Sequence, residues 1–231
     1  RPPLTHFLCI PLVTPTSRPQ LQEALERFKG DVCATENVPE KAIRPLGTLH
    51  LTLGVMSLDE DGLERATALL QSLSLADLLN TASAEETATF PTTQPDSLVI
   101  SIQGLHSMHP PARTSILYAA PEDPTGRLYP AATKLRDLFT QAGFMGPEDR
   151  PLKLHATIVN TVYAKSGKGG RGAGHGANAK ALLRLDAQEM VERYRDFVWA
   201  EGVKVERIAI CKMGAKKVVD AGGVVVGEEY E

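Results

Sequence analysis

Two short strings of the chain repeat one pattern of residue types. Residues 49–53 (Leu-His-Leu-Thr-Leu) and 154–158 (Leu-His-Ala-Thr-Ile) each read apolar, His, apolar, Thr, apolar. Side chains on a β-strand alternate between its two faces, so each string predicts a strand with a buried apolar face. The opposite face of each strand then carries an imidazole and a hydroxyl. We interpret the two strings as two halves of one site.

Two imidazoles on opposite sides of one phosphorus atom are suited to cleaving a phosphodiester bond. A base must take a proton from the attacking hydroxyl or water, and an acid must protonate the departing oxygen. Histidine titrates near pH 6.5, so His50 and His155 can hold either protonation state at neutrality. The hydroxyls of Thr52 and Thr157 would donate hydrogen bonds to the non-bridging phosphoryl oxygens. These four residues are the predicted catalytic set.

Two other interpretations of the motifs fit the sequence less well. A single His-x-Thr string is typical of a structural or exposed histidine, but two strings in matching contexts favour a shared function. A metal site is disfavoured because neither motif has a second His, Cys or acidic residue at ligand spacing. Threonine is also a poor ligand for zinc. We therefore expect no metal and no other cofactor.

The composition limits the partners of the chain. A protein that binds long nucleic acid through many phosphates usually carries a basic excess, whereas this chain has a net charge of −3. We therefore expect a short RNA oligonucleotide or a nucleotide. No apolar run reaches the roughly 18 residues that span a bilayer, so no membrane partner is expected. The three cysteines, Cys9, Cys33 and Cys211, have no paired spacing, which favours an intracellular, reducing compartment such as the cytoplasm or nucleus.

The elements around the two motifs repeat in the same order. A strand over 5–13 and a helix over 19–33 precede the first motif, and a strand over 115–119 and a helix over 126–143 precede the second. This repeat predicts a duplicated lobe with a cleft between the copies. The other predicted elements are a helix over 60–80 capped by Asp59, strands over 98–102 and 203–213, a short helix over 186–194, a last strand or hairpin over 217–230 and a loop over 82–95. Pro11 predicts an edge position or a bulge in the first strand.

A glycine-rich basic insert occupies residues 165–180. It lacks the spacing of a phosphate-binding loop, and no predicted strand leads directly into a helix around it. We interpret it as a flexible surface loop, with a basic flap over an anionic substrate as the alternative.

The motifs at 50–53 and 155–158 resemble the signature of the two-histidine (2H) phosphoesterases, which is two His-x-Thr/Ser-x strings. Further stretches are similar to the branch that contains the phosphoesterase-like domain of A-kinase anchor proteins and of an activating signal cointegrator subunit. These stretches are residues 5–8, 49–56, 104–105, 112–118, 160–161 with Tyr163, and 208–213. The resemblance spans residues 5–213, and the insert and the tail after Met213 are less diagnostic.

The resemblance implies an α+β fold of two pseudo-symmetric lobes, each an antiparallel sheet with helices on its outer face, around a central cleft. Residues 1–231 would form one such domain, expected to be a monomer. It also implies metal-independent hydrolysis of 2′-5′ or 2′,3′-cyclic RNA phosphodiesters. Carried onto the matching positions, His50 and His155 would be the acid/base pair, and Thr52 and Thr157 the phosphate donors.

Four further residues are candidates for binding the substrate. Lys153 shares a strand face with His155 and could reach a phosphate, although the sequence favours a stem that lies along the strand end with its charge in solvent. Phe7 is predicted either to stack on a base near the cleft or to pack in the core. Tyr163 and Lys165 follow the second motif and are predicted to line the rim. His6, His106, His109 and His175 lack a Thr two residues later and are interpreted as bystanders.

Three functions remain open at this point. The first hypothesis is a 2′-5′ phosphodiesterase that acts on molecules resembling 2′-5′ oligoadenylate. The second is a 2′,3′-cyclic phosphodiesterase or an enzyme that trims RNA 3′ ends. The third is an RNA- or nucleotide-binding module of a larger complex with little turnover, against which the intact His and Thr residues of both motifs count.

Overall fold

A computed structural model describes residues 2–81, 97–165 and 183–231. The predicted loop over 82–95 and the insert after Lys165 lie outside the described residues. The strands are β1 (His6–Pro11), β2 (His50–Met56), β3 (Leu98–Ser107), β4 (Ile116–Glu122), β5 (Ala156–Asn160), β6 (Val198–Val205), β7 (Ala209–Lys212), β8 (Lys216–Val219) and β9 (Val225–Glu229). The α-helices are α1 (Ser17–Thr35), α2 (Glu60–Ser72), α3 (Leu75–Thr81), α4 (Leu128–Gln141) and α5 (Gln188–Arg193). Short 3-10 helices cover Glu40–Ala42, Leu46–Thr48, Pro111–Arg113 and Thr161–Lys165.

In the described part of the chain, seven strands form one antiparallel sheet in the order β6-β3-β4-β5-β2-β1-β7. Its two halves are β6-β3-β4-β5 and β2-β1-β7, and they meet where β2 and β5 share one residue pair, Leu51 with Ala156. The predicted repeat is present, because β1-α1-β2 and β4-α4-β5 each end at a histidine motif. The fold is therefore α+β, with the two motif strands adjacent at the centre of the sheet.

The connection between β6 and β7 requires this sheet to curl strongly. These strands are its two edges, yet only residues 206–208 join them. The edges of a flat seven-stranded sheet would lie about 29 Å apart, at roughly 4.8 Å per strand spacing. The four steps from Val205 to Ala209 span at most about 14 Å, so the edges must curve toward each other.

The long helices pack across the two halves of the sheet. Helix α1, from the first half of the chain, contacts β6, whereas α4, from the second half, contacts β2. The apolar stripe of α1 is buried through Leu21, Leu25 and Phe28, and that of α4 through Leu135 and Phe139. Buried side chains from both halves form one hydrophobic cluster. This cluster holds the centre of the sheet from its apolar face.

Two predicted elements are each divided in the structure. The predicted helix over 60–80 is two helices, because Leu73 is extended (φ −94°, ψ 138°) and Ser74 Oγ then accepts a hydrogen bond from Asp77 N, which caps α3. Asp59 caps α2 as predicted, by accepting a hydrogen bond from Gly62 N at 2.8 Å. The predicted strand over 203–213 is the end of β6 and all of β7, separated where the chain passes between the sheet edges.

Strand β1 does not lie at an edge of the sheet, since it pairs with both β2 and β7. Pro11 is its last residue and pairs only with His50 of β2, because the β7 pairing ends at Cys9. The missing N–H of the proline therefore faces no partner strand. The expected irregularity is a register shift between Leu8 and Cys9.

The three cysteines are free thiols. Within the described residues, no helix has the length and apolar character that crossing a membrane requires.

Candidate active site

The sheet brings the two histidine motifs together on one face. The pairing of Leu51 with Ala156, continued by one residue in each direction, places His50 across from Thr157 and Thr52 across from His155. Residues directly opposite in an antiparallel pair point to the same side of the sheet. The intervening Leu51 and Ala156 are fully buried, whereas the four predicted catalytic residues are only partly buried. Their side chains therefore share a solvent-accessible face.

The two imidazoles are oriented by the same local hydrogen bond. Nδ1–H of His50 donates to the carbonyl oxygen of Thr48 at 2.7 Å, and Nδ1–H of His155 donates to that of Lys153 at 2.8 Å. A carbonyl only accepts, so these bonds assign the proton of each neutral ring to Nδ1 and leave Nε2 unprotonated. Thr52 Oγ1 lies 3.0 Å from Nε2 of His50 and donates to it. Each ring thus offers its basic nitrogen on the shared face.

His50 is enclosed by two aromatic side chains. The Phe7 ring, from the neighbouring strand β1, lies 4.8 Å from the imidazole centroid at a tilt of 31°. Tyr230, near the C-terminal end, approaches edge-on at 5.3 Å. Burial lowers the pKa of His50 below its ordinary value; the bond to the Thr48 carbonyl opposes this, and the positive charges of His155 and Arg44 lower it further. At neutral pH the site therefore favours the uncharged form of His50.

His155 lies beside a different set of groups. Tyr118 of β4 pairs with Thr157 and packs edge-on against the His155 ring, with centroids 5.5 Å apart. Lys153 is exposed, and its Nζ lies 4.7 Å from the centroid of Tyr118. His106 stacks on Tyr118 with centroids 5.4 Å apart. An exposed cation and an aromatic ring therefore border this half of the site.

A buried arginine is hydrogen-bonded to the second motif strand and lies near the first histidine. The backbone N–H of Arg44 donates to the carbonyl of Ile158 in β5 at 2.8 Å. Its side chain, in a residue only 6% exposed, reaches back toward His50, where Nη2 donates to Tyr230 Oη in a long bond of 3.4 Å. The guanidinium also lies over the Tyr163 ring, 3.8 Å from its centroid. Arg44 thus contacts both Tyr163 and Tyr230, and its charge acts on His50.

The sequence-family model of the AKAP7 2′5′ RNA ligase-like domain matches residues 4–221 of the chain. The chain belongs to this family. An uncharacterised protein of Schizosaccharomyces pombe, C15D4.13c, is 25% identical over 209 residues, which are 88% of this chain and 86% of that protein. Activating signal cointegrator 1 complex subunit 1 of Mus musculus is 25% identical over 210 residues, covering 85% of this chain but only 55% of the mouse protein.

Solved structures similar to this family member include E. coli LigT in complex with 3′-AMP, at 14% identity and a TM-score of 0.48. That likeness covers 99% of this chain and 94% of LigT. The TT0787 protein of Thermus thermophilus is similar at 14% identity and a TM-score of 0.45, over 98% of this chain and 97% of that protein.

The predicted substrate-binding residues have different surroundings in the structure. Phe7 is only 5% exposed and lies against His50, so its open ring area is small. Lys153 lies beside His155, and Tyr163 is 41% exposed on the outer side of Arg44. Lys165 ends a 3-10 helix, and its side chain lies outside what the structure describes. Substrate contact by any of these residues stays a prediction.

Three residues of the site are not among the predicted candidates. Tyr118 lies on the strand beside the second motif and within a stretch that carries the family resemblance, so the alternation of β4 offered a signal for it. Arg44 and Tyr230 offered none, because neither belongs to a repeated pattern near a motif. No group of three or more His, Cys, Asp or Glu side chains within the described residues is arranged to hold a metal ion.

Proposed function

We propose that this family member is a metal-independent phosphodiesterase that hydrolyses 2′-5′ phosphodiester bonds in short RNA of the 2′-5′ oligoadenylate type. The observation that carries the proposal is the pair of matched imidazoles. Both rings donate Nδ1–H to the carbonyl two residues earlier, which leaves Nε2 of each ring as the atom that accepts or delivers a proton on the shared face of adjacent strands. The family description, a 2′5′ RNA ligase-like domain, supports the substrate class.

In this proposal His50 is the general base. Its pKa is lowered mainly by burial, which favours the neutral ring needed to accept a proton. The attacking hydroxyl or water takes the place of Thr52 at Nε2 and gives its proton to that nitrogen as the new P–O bond forms. The displaced Thr52 hydroxyl then donates to a non-bridging oxygen of the phosphoryl group.

His155 is the general acid of the same reaction. As an imidazolium it carries a proton on Nε2 and delivers it to the departing oxygen as the P–O bond to the leaving group breaks. In this proposal Thr157 donates to the second non-bridging oxygen, and its position across from His50, when the Leu51–Ala156 pairing is continued by one residue, supports that role. Between turnovers His50 gives one proton to solvent and His155 takes one proton from solvent. Both rings then have their starting protonation states again.

The groups around the two rings support a short, anionic substrate. Lys153 brings a positive charge to the His155 side, and the exposed ring of Tyr163 provides a surface on which a base can stack at the His50 side. The net charge of −3 disfavours a long nucleic-acid track. Recognition is therefore expected to be limited to the nucleotides that flank the cleaved bond.

A linkage-resolved cleavage assay tests this proposal. The protein is incubated in EDTA with oligonucleotides of equal length that carry 2′-5′ linkages, 3′-5′ linkages or a 2′,3′-cyclic phosphate end, and the products are separated by chromatography. We expect cleavage of the 2′-5′ substrate with undiminished rate in EDTA. Loss of activity in EDTA would contradict the metal-free mechanism.

The substrate pattern separates the three hypotheses. Preferential opening of the cyclic phosphate, or shortening of the 3′-5′ oligonucleotide from its end, would replace the 2′-5′ assignment with the corresponding alternative. Binding of nucleotides without cleavage of any substrate would favour the binding module. A variant with both His50→Ala and His155→Ala is the control for contaminating nucleases.

A further inference from the structure

The C-terminal end of the chain returns to the first histidine. The hairpin β8–β9 follows β7, and the carbonyl of Glu231 accepts a hydrogen bond from Lys212 N at 2.7 Å. Strand β9 also contacts the 3-10 helix Leu46–Thr48, which leads into His50. At Gly47 a Cβ atom would lie 2.4 Å from the carbonyl oxygen of Glu228, so only glycine permits this approach. The hairpin is thus seated closely on the segment that precedes the motif.

Tyr230 occupies the point where this hairpin meets the site. Its ring lies edge-on to His50 at 5.3 Å and edge-on to Phe7 at 4.9 Å. Its hydroxyl accepts the bond from Arg44 Nη2. The residue lies beyond position 221, where the family match ends. Neither the motifs nor the family model therefore assigns it a role.

The groups that face His50 come from several parts of the chain. His155 faces it from the residue before β5, Arg44 from the segment between two 3-10 helices, and Tyr230 from the residue after β9. Tyr163 stands behind Arg44 and interacts with the Tyr230 hydroxyl. The Tyr230 ring therefore covers His50 while its hydroxyl holds a cation nearby.

We propose that Tyr230 is a positioning residue for His50, and that the C-terminal hairpin thereby completes the active site. The ring restricts rotation of the imidazole and excludes water from one of its edges. The hydroxyl keeps the Arg44 guanidinium beside the cleft rather than in solvent. The expected effect of Tyr230 on turnover rests on the proposed function. Its expected effect on the titration of the His50 imidazole does not.

Two substitutions separate the ring from the hydroxyl. Tyr230→Ala removes both and is expected to lower kcat about tenfold, because the base loses the aromatic contact that orients it. KM should change less than kcat, because the ring acts on the catalytic base. Tyr230→Phe keeps the ring and is expected to lower kcat only about threefold, as for a single weak hydrogen bond.

The pH profile provides a readout that a purely structural role would not change. Removal of the ring hydrates His50, so its pKa should rise and the acidic limb of the kcat/KM profile, which reports the free enzyme, should move to higher pH. NMR titration of the His50 imidazole without substrate measures the same change directly. Val226→Ala, an exposed position on the same hairpin, is the matched control and should leave both measurements unchanged.

The two readouts also distinguish the two proposals. If the wild-type protein cleaves no oligonucleotide, the proposed function fails, and the NMR titration still decides the role of Tyr230. If Tyr230→Ala titrates at His50 as the wild type does, the positioning role is overturned. Should Tyr230→Ala not fold, Tyr230→Leu fills the space without a ring or hydroxyl and is judged by the same titration.

Discussion

The two histidine strands are built alike but surrounded differently. In each, Nδ1–H donates to the carbonyl two residues earlier, and the neighbouring strand supplies an aromatic ring, Phe7 for His50 and Tyr118 for His155. The first half then adds Tyr230 and a buried guanidinium. The second half instead has an exposed lysine.

In the proposed mechanism, this difference gives the two halves of a repeated scaffold opposite proton-transfer roles. The repeat and the central strand pairing bring two equivalent rings to one face. Burial between aromatic rings and nearby positive charge then lower the pKa of His50. Pairs of titratable groups with contrasting environments are typical of acid/base assignments in enzymes. Under the proposed function, the repeated elements bring the two rings to one face, and the different surroundings of the rings separate the base from the acid.

Removal of either imidazole is the largest expected effect. His50→Ala and His155→Ala should each lower kcat about 10²–10⁴-fold, the usual contribution of a general acid or base. Because the two rings act on one phosphorus in the proposed mechanism, the double variant should be little slower than the slower single variant. The measurement is kcat on a 2′-5′ dinucleotide at pH 7, with the thermal unfolding midpoint as the control for folding. Retention of wild-type rate by either variant would remove that residue from the site.

Adding free imidazole to the same two variants tests which ring is the base and which is the acid. A missing base is replaced by neutral imidazole, so rescue of His50→Ala should increase with pH. A missing acid is replaced by imidazolium, so rescue of His155→Ala should increase as the pH falls. The opposite pattern would exchange the two roles.

The threonines should have a smaller effect that also differs between the halves. Thr52→Val and Thr157→Val each remove one donor to the phosphoryl oxygens and should lower kcat about 10²-fold. In the free enzyme Thr52 also donates to Nε2 of neutral His50, so its loss should raise the His50 pKa and move the acidic limb of the kcat/KM profile to higher pH. Thr52→Ser should return the acidic limb to its wild-type pH. An identical pH profile in Thr52→Val and the wild type would show that the Thr52 hydroxyl does not influence the His50 pKa.

Much of the site could be predicted because strands impose a period of two. The alternation in residues 49–53 and 155–158 correctly separates the buried apolar residues from the partly exposed His and Thr residues, whereas Leu154, which precedes β5, is itself only partly buried. The matching order of elements around each string predicted the repeat. These signals are local, and each fits within one strand and its neighbours.

The features that the sequence patterns did not predict depend on the path of the chain through the whole sheet. The division of the predicted strand over 203–213 follows from the curl that joins β6 to β7, which no local pattern records. Arg44 reaches the site because its backbone bonds to β5, and Tyr230 reaches it through a hairpin 180 positions after His50 in sequence. Contacts of this range come from topology rather than from the periodicity of one segment.

The smallest expected effect concerns stability and again separates the two halves. The pKa of His50 is lowered by burial, and that of His6 on β1 is lowered by burial and by the charge of Lys212. As the pH falls below about 6.5, the unfolded chain binds protons that these folded sites resist. Stability is therefore greatest above that pH and decreases as the pH falls toward the lowered values.

Urea unfolding between pH 7.5 and 5.5 measures this contribution of the first half. The unfolding free energy of the wild type should decrease over this range, and His50→Gln should reduce the decrease because glutamine does not titrate. His6→Gln should reduce it separately, and the double variant most. Carboxylates such as Asp31, whose pKa is lowered by its hydrogen bond to Tyr194, lose their contribution only below about pH 4 and do not overlap. An unfolding free energy that is constant or rises on acidification would show that the enclosure of His50 does not oppose its protonation, and the contrast between the two halves would then lose its electrostatic basis.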